Sequence, residues 1–157
     1  MLDILCKISF SIIGVVIFIL VLGGMLNLAG HPIYYNTTDS LPQKIFIAKK
    51  AYSEIGKGDY VIIGHKGERH VKLVAGVAGD RVLVFKDLIF VAGENVGQFY
   101  QETENLRMSI TPIEGDFIIP EGFLYVTGTH PKSYDSRYKE YGLVSLEDII
   151  GIACPIF

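Results

Sequence analysis

The chain has 157 residues, with 14 Lys plus Arg against 17 Asp plus Glu and a net charge of -3. That length suits one domain, or a smaller domain with an appendage, and the slightly acidic balance argues against a nucleic-acid partner, which calls for a basic surface. Apolar residues make up 50% of the chain and crowd into the first 28 positions, while the remainder has the composition of a soluble domain.

In chain order, the first element is an uncharged stretch from Ile8 to Leu26, bounded by Asp3 and Lys7 before it and Asn27 and His31 after it. About 19 residues rising 1.5 Å each cover a hydrocarbon core of roughly 30 Å. Its length favours a retained anchor over a cleavable signal, whose apolar core is shorter; Gly23, Gly24, Ala29 and Gly30 are small enough to leave cleavage open. Lys7 on one side and Lys44, Lys49 and Lys50 on the other leave the positive-inside rule nearly neutral. Residues 1–28 therefore read as a transmembrane anchor. Residues 29–39 read as a connector, because Pro32, Asn36 and the Thr37-Thr38 pair interrupt regular structure. Residues 40–157 form the domain beyond it.

That domain reads as mostly β. Strands are expected at Lys44–Ala48, Tyr60–Ile63, His70–Ala75, Arg81–Phe85, Leu88–Val91, Phe117–Ile119 and Leu124–Thr127. Each is short, rich in Val, Ile, Phe and Tyr, and bounded by Gly, Pro or Asp. Gly58-Asp59 and Gly115-Asp116 each make a turn that feeds an apolar strand. Ser145 caps a short helix with Asp148 three residues on, and Gly151 and Pro155 stop it. The expected architecture is a closed or partly open β-barrel or sandwich. Cys6 and Cys154 lie at opposite ends, and His31, His65, His70 and His130 are scattered, so neither a disulfide framework nor a metal site is expected, nor any cofactor.

Three segments carry chemistry: Thr38-Asp39-Ser40-Leu41-Pro42, His70-Val71-Lys72 running to Gly79-Asp80, and Gly128-Thr129-His130-Pro131-Lys132-Ser133-Tyr134-Asp135-Ser136-Arg137-Tyr138. Singly, each has an ordinary explanation. Ser before Leu-Pro is a common turn, Lys in a strand usually faces water, and Asp135 with Arg137 could be a surface ion pair.

Together and in this order they resemble the boxes of the type I signal peptidase family of serine proteases. Within it the chain looks most like the conjugative-transfer, TraF-type peptidases that process pilin precursors. Ser40-Leu41-Pro42, Gly58-Asp59, Lys72 with Gly79-Asp80, Pro120-Glu121-Gly122 and Asp135-Ser136-Arg137-Tyr138 with Gly142 fill the family's five places, and the match runs from about residue 8 to 152. The chain departs from the pattern at Leu73, where larger peptidases usually carry Arg, and in the extra Lys139 and Glu140. It has no room for the large additional β-domain of housekeeping signal peptidases, which favours a dedicated peptidase.

The resemblance implies a signal-peptidase-like catalytic domain cleaving exported precursors, with Ser40 as nucleophile and Lys72 as general base, a Ser-Lys dyad. Burial among Val71, Leu73 and Val74 would lower the amine's pKa. The Ser40 N–H and the Thr38 hydroxyl would hold the oxyanion. Ser133 and Asp135 would orient the amine, with Arg137 holding Asp135. Ile45 and Phe46 would line shallow pockets. The implied partners are a precursor protein or pilin, the lipid bilayer, and secretion or conjugation machinery. The implied location is the bacterial inner membrane, with the domain on the periplasmic side. Two alternatives remain: a non-catalytic, membrane-tethered β-domain acting as an assembly module, and a self-cleaving repressor-like domain.

Overall fold

The computed structural model describes residues 2–49, 55–65, 67–100 and 110–156, with side chains for all of these except 2–10 and 65. Lys50 and the side chains of Cys6 and His65 therefore lie outside the described set.

Helix α1 runs from Leu2 to Leu28. The stretch Ser11–Leu28 is uncharged, long enough to cross a bilayer, and buries none of its residues against the rest of the chain. A helix this apolar with almost all its described side chains exposed has no reason to persist in water; lipid is the solvent that suits it.

The domain beyond it is built from two antiparallel sheets. The larger has seven strands in the order β1-β2-β11-β3-β4-β9-β10: β1 (Ile33–Tyr35), β2 (Ile45–Lys49), β3 (Tyr60–His65), β4 (Glu68–Gly76), β9 (Phe123–Thr127), β10 (Val144–Ser145) and β11 (Ile149–Pro155). It curls into a half-barrel whose outer strands, β1 and β10, do not meet. The smaller sheet has the order β7-β6-β5-β8, from β5 (Arg81–Phe85), β6 (Leu88–Val91), β7 (Glu94–Gln98) and β8 (Asp116–Ile118).

Both faces of the large sheet are packed. Val61, Ile63, Val74 and Val126 meet Tyr138 and Tyr141 on one side, while Leu41, Phe46, Ile62, Val71 and Ala153 pack on the other. A third cluster joins the sheets, with Val82, Ile89 and Val91 against Ile119 and Tyr125. The mostly β expectation holds, and the sheet is of the partly open kind. Two of the expected strands, β5 and β6, fall at the residues read from sequence.

Four strands escaped the sequence reading. β1 lies inside the segment read as a connector, and it is only three residues long, held by antiparallel pairing of Ile33 with Ile47 and Tyr35 with Ile45. β7 is polar and sits on an edge. β10 has two residues. β11 was hidden because Gly151 and Pro155 read as stops. Instead it lies between β2 and β3 and absorbs an irregularity between Ile149 and Gly151. The expected helix at Ser145 is a single 3₁₀ turn, Leu146–Asp148, with the Ser145 side chain accepting from the Glu147 N–H.

Candidate active site

The site forms where the pairing of β4 with β9 begins. Leu73 pairs with Thr127, so the next step of the register sets Gly128 beside Lys72, and beyond Gly128 the chain leaves the sheet. The loop from Gly128 to Arg137 therefore rises next to the Lys72 side chain. Lys72 itself is 3% exposed, in a strand flanked by buried Val71 and Val74.

Its amine donates to Ser40 Oγ at 2.9 Å and to Ser133 Oγ at 2.8 Å. Burial is the main influence on it and pushes its pKa down from 10.5 to about 8; the charge of Asp135 pulls it up and that of Arg137 pushes it down. The net direction follows because the apolar surroundings penalise the ammonium more than Asp135 rewards it.

Two loops meet around this amine. Ser40 follows a turn built on Asn36, whose Oδ1 accepts from both the Thr38 N–H and the Thr38 hydroxyl. Lys44 grips the same turn, donating to the Thr38 carbonyl at 2.9 Å and to Asp39 at 2.7 Å. Leu41, fully buried, pins the next residue into the core. The Ser40 carbonyl accepts from the His130 N–H at 3.2 Å and from the Thr129 hydroxyl at 3.5 Å, so the two loops are sewn together at Ser40 itself.

The second loop is held by an ion pair. Arg137 Nε donates to Asp135 Oδ1 and its Nη2 to Asp135 Oδ2, both at 2.8 Å, with the side chains 2% and 0% exposed. The guanidinium also donates to the carbonyls of His130, Pro131 and Ser133. Asp135 in turn accepts the Gly128 N–H at 2.7 Å. Every strong donor and acceptor in this buried pair thus has a partner, which is the condition for burying charge at tolerable cost. Ser136 ties the loop back to β9, accepting the Val126 N–H at 3.1 Å.

Ser40, Lys72, Ser133, Asp135 and Arg137 therefore lie together as one buried network. Thr38 lies beside it, with its hydroxyl committed to Asn36. Phe46 does not line an open pocket as expected: it is fully buried and tilts against Tyr60 at 5.6 Å between ring centres, so it is part of the floor beneath the Ser40 loop. Ile45 is half-buried. Lys139 and Glu140 lie outside the buried network around Lys72. They fold into the turn after Tyr138, where Glu140 accepts from the Thr111 N–H and hydroxyl.

Gly128 is the important residue that the sequence reading left without a role. A Cβ there would lie 2.2 Å from Ser133 Oγ and 2.7 Å from the Ser40 carbonyl oxygen. Both the Ser40 loop and the amine's hydrogen-bond partner occupy the space that a side chain would need. A glycine directly after an apolar strand was the available signal. No cluster of His, Cys, Asp or Glu suited to a metal exists among the described residues.

The model of the family "Signal peptidase, peptidase S26" matches residues 5–157. Signal peptidase I of Bacillus caldolyticus is 28% identical over 121 residues, covering 68% of this chain and 65% of its own length. That of Bacillus licheniformis is 29% identical over 125 residues, covering 73% and 67%. The conjugal transfer protein TraF of Agrobacterium fabrum is 32% identical over 88 residues, covering 55% and 48%. The chain thus spans about two thirds of these Bacillus relatives and about half of the TraF protein. A crystal structure of a signal peptidase I from Enterococcus faecalis aligns with a TM-score of 0.42 and 23% identity, over 64% of this chain and 97% of that one. The family model extends over nearly the whole chain, and the chain belongs to the signal peptidase family, peptidase S26, a family of serine peptidases.

Proposed function

We propose that this chain is a membrane-anchored endopeptidase that cleaves exported precursor proteins with a Ser40–Lys72 dyad. The observation that carries the reading is the 2.9 Å contact between Lys72 Nζ and Ser40 Oγ inside a buried pocket. A tethered assembly module has no use for a lysine amine held out of water against a serine.

An amine with a pKa near 8 is uncharged in an appreciable fraction of molecules at neutral pH. In that state the Ser40 hydroxyl donates to the Nζ lone pair, and Nζ still donates to Ser133, which fixes its direction. Ser40 Oγ attacks the scissile carbonyl as its proton passes to Nζ. The resulting ammonium gives that proton to the leaving amine as the C–N bond breaks. Water then attacks the acyl-enzyme by the same route and frees Ser40.

The oxyanion is assigned to the Ser40 N–H and the Thr38 hydroxyl. Thr38 reaches this role by rotating its hydroxyl away from Asn36. Asp135 and Arg137 act through Ser133 and Gly128 and serve as positioning residues.

Helix α1 is read as a retained anchor in the bacterial inner membrane, with the catalytic domain on the periplasmic side. The substrate is an exported precursor carrying a membrane-inserted leader. The TraF relative is named a conjugal transfer protein; that supports a pilin-type precursor and a place beside the conjugation machinery.

The test is cleavage of a leader-bearing precursor by the full chain in detergent or vesicles. Ser40→Ala and Lys72→Ala are each expected to abolish cleavage, losing at least about 10³-fold in kcat/KM, while the thermal transition remains cooperative. Normal cleavage by either variant would end the dyad assignment.

A further inference from the structure

Beside the dyad lies a cleft of about 810 Å³ that the chemistry above leaves unused. Its floor is Leu73, Val74 and Ala75, the residues that follow Lys72 on β4, together with Thr127 to Thr129. Its far wall is strand β7, from Glu94 to Gln98, with Lys57 opposite. Lys57 and Glu94 form an ion pair at 3.4 Å, their side chains 34% and 76% exposed. The cleft thus starts one residue past the amine on β4, and at the loop whose Thr129 and His130 hold the Ser40 carbonyl. Its volume falls in the range of sites that bury most of a bound ligand.

The two directions away from Lys72 along β4 differ. Before Lys72, at Glu68–Val71, β4 pairs with β3 but not with β9, whose pairing starts at Leu73. That edge lies toward the membrane helix: the Tyr34 hydroxyl of β1 donates to the Arg69 carbonyl at 2.8 Å, and β1 follows directly on α1. Past Lys72, β9 occupies the edge, and a bound chain can continue only out of the sheet, into the cleft.

A precursor's leader is embedded in the bilayer, so its side of the scissile bond belongs near β1. We infer that the cleft receives the exported segment, the residues that follow the scissile bond. It takes them as an extended, polar chain whose charges are sensed by Lys57 and Glu94. This rests on the proposed peptidase reading and deepens it, by giving the leaving segment a binding site and a charge preference.

The experiment uses the full chain in detergent with three enzymes besides wild type: Lys57→Glu, Glu94→Lys, and the double exchange, which restores an ion pair of reversed polarity. The substrates share one leader and differ only in placing Lys or Glu at the second to fifth residues after the scissile bond. A control substrate carries the same leader joined to p-nitroaniline, which reaches no further than the bond itself.

Lys57→Glu is expected to raise kcat/KM for basic over acidic segments by about three- to fivefold, the effect of one half-exposed charge. Glu94→Lys is expected to shift the ratio the other way, and the double exchange to move the positions at which each charge is preferred. All four enzymes should cleave the p-nitroanilide at equal rates. An unchanged charge preference, or equal losses on the p-nitroanilide, would overturn the cleft assignment. Ser40→Ala separates this from the parent reading: cleavage that survives it refutes the dyad, whatever the cleft variants do.

Discussion

Two arginine–aspartate pairs in this chain share their chemistry and differ in nearly everything else. Arg137 and Asp135 are 2% and 0% exposed, and their remaining hydrogen-bonding groups are spent on the loop that carries Ser133. Arg81 and Asp116 join β5 to β8 with side chains 60% and 46% exposed. Water competes for the second pair and screens it. For the first there is no water to fall back on, so each partner depends on the other. The pair beneath Ser40 and Lys72 is therefore a frame, and the pair on the small sheet is an ornament of the surface.

Removing one partner from each tests that contrast. Arg137→Ala leaves a buried carboxylate without its cation and is expected to cost ~3–5 kcal/mol. In a chain of this size that lowers the thermal midpoint by on the order of 10 °C. An Arg137→Ala midpoint no lower than that of Arg81→Ala would remove the distinction.

The amine held by the frame gives a second test. Its pKa is near 8 in the folded chain and 10.5 when free. Between those values the unfolded chain binds the extra proton, so stability rises with pH across that window. Measured against Lys72→Met, which has no such proton, wild type should gain on the order of 3 kcal/mol from pH 8 to 10.5. Activity should rise as pH passes through about 8. A difference between the two chains that stays flat would mean the amine is not held in its neutral form.

The frame also sets the tolerance of the glycine beside it. Gly128→Ala should cost ~1–3 kcal/mol as its methyl meets Ser133 and the Ser40 carbonyl. Because those groups align the proposed dyad, kcat/KM should fall about 100-fold with KM little changed. A fold-only effect, with full activity in the surviving molecules, would show that the loops can part without harm. The smallest effect is expected at the surface: Arg81→Ala should barely move the thermal midpoint, and any loss should shrink further in high salt.

The sequence revealed these features unevenly, for physical reasons. Arg81–Phe85 and Leu88–Val91 were readable because both are apolar and flanked by turn residues. β11 was not, because its place between β2 and β3 comes from pairing with residues about 100 positions earlier, and that pairing overrides its Gly and Pro. The short motifs around Ser40, Lys72 and Asp135 were legible as residue types in order. The contacts that join them were not: the His130 N–H on the Ser40 carbonyl is a backbone bond between distant segments, and no residue type announces it. Thr38 shows the limit for side chains. Its hydroxyl was visible in sequence, but its attachment to Asn36 is a choice of rotamer.

The long reach of those contacts has a consequence for synthesis. Ser40 and Lys72 leave the ribosome well before the loop from Gly128 to Arg137, and before β11, which closes the sheet between β2 and β3. A nascent chain, or one cut short ahead of Gly128, holds both reactive groups with nothing to seat them. On the proposed reading, proteolytic competence therefore waits for the loop from Gly128 to Arg137, because Ser133 on that loop is what holds the Lys72 amine toward Ser40.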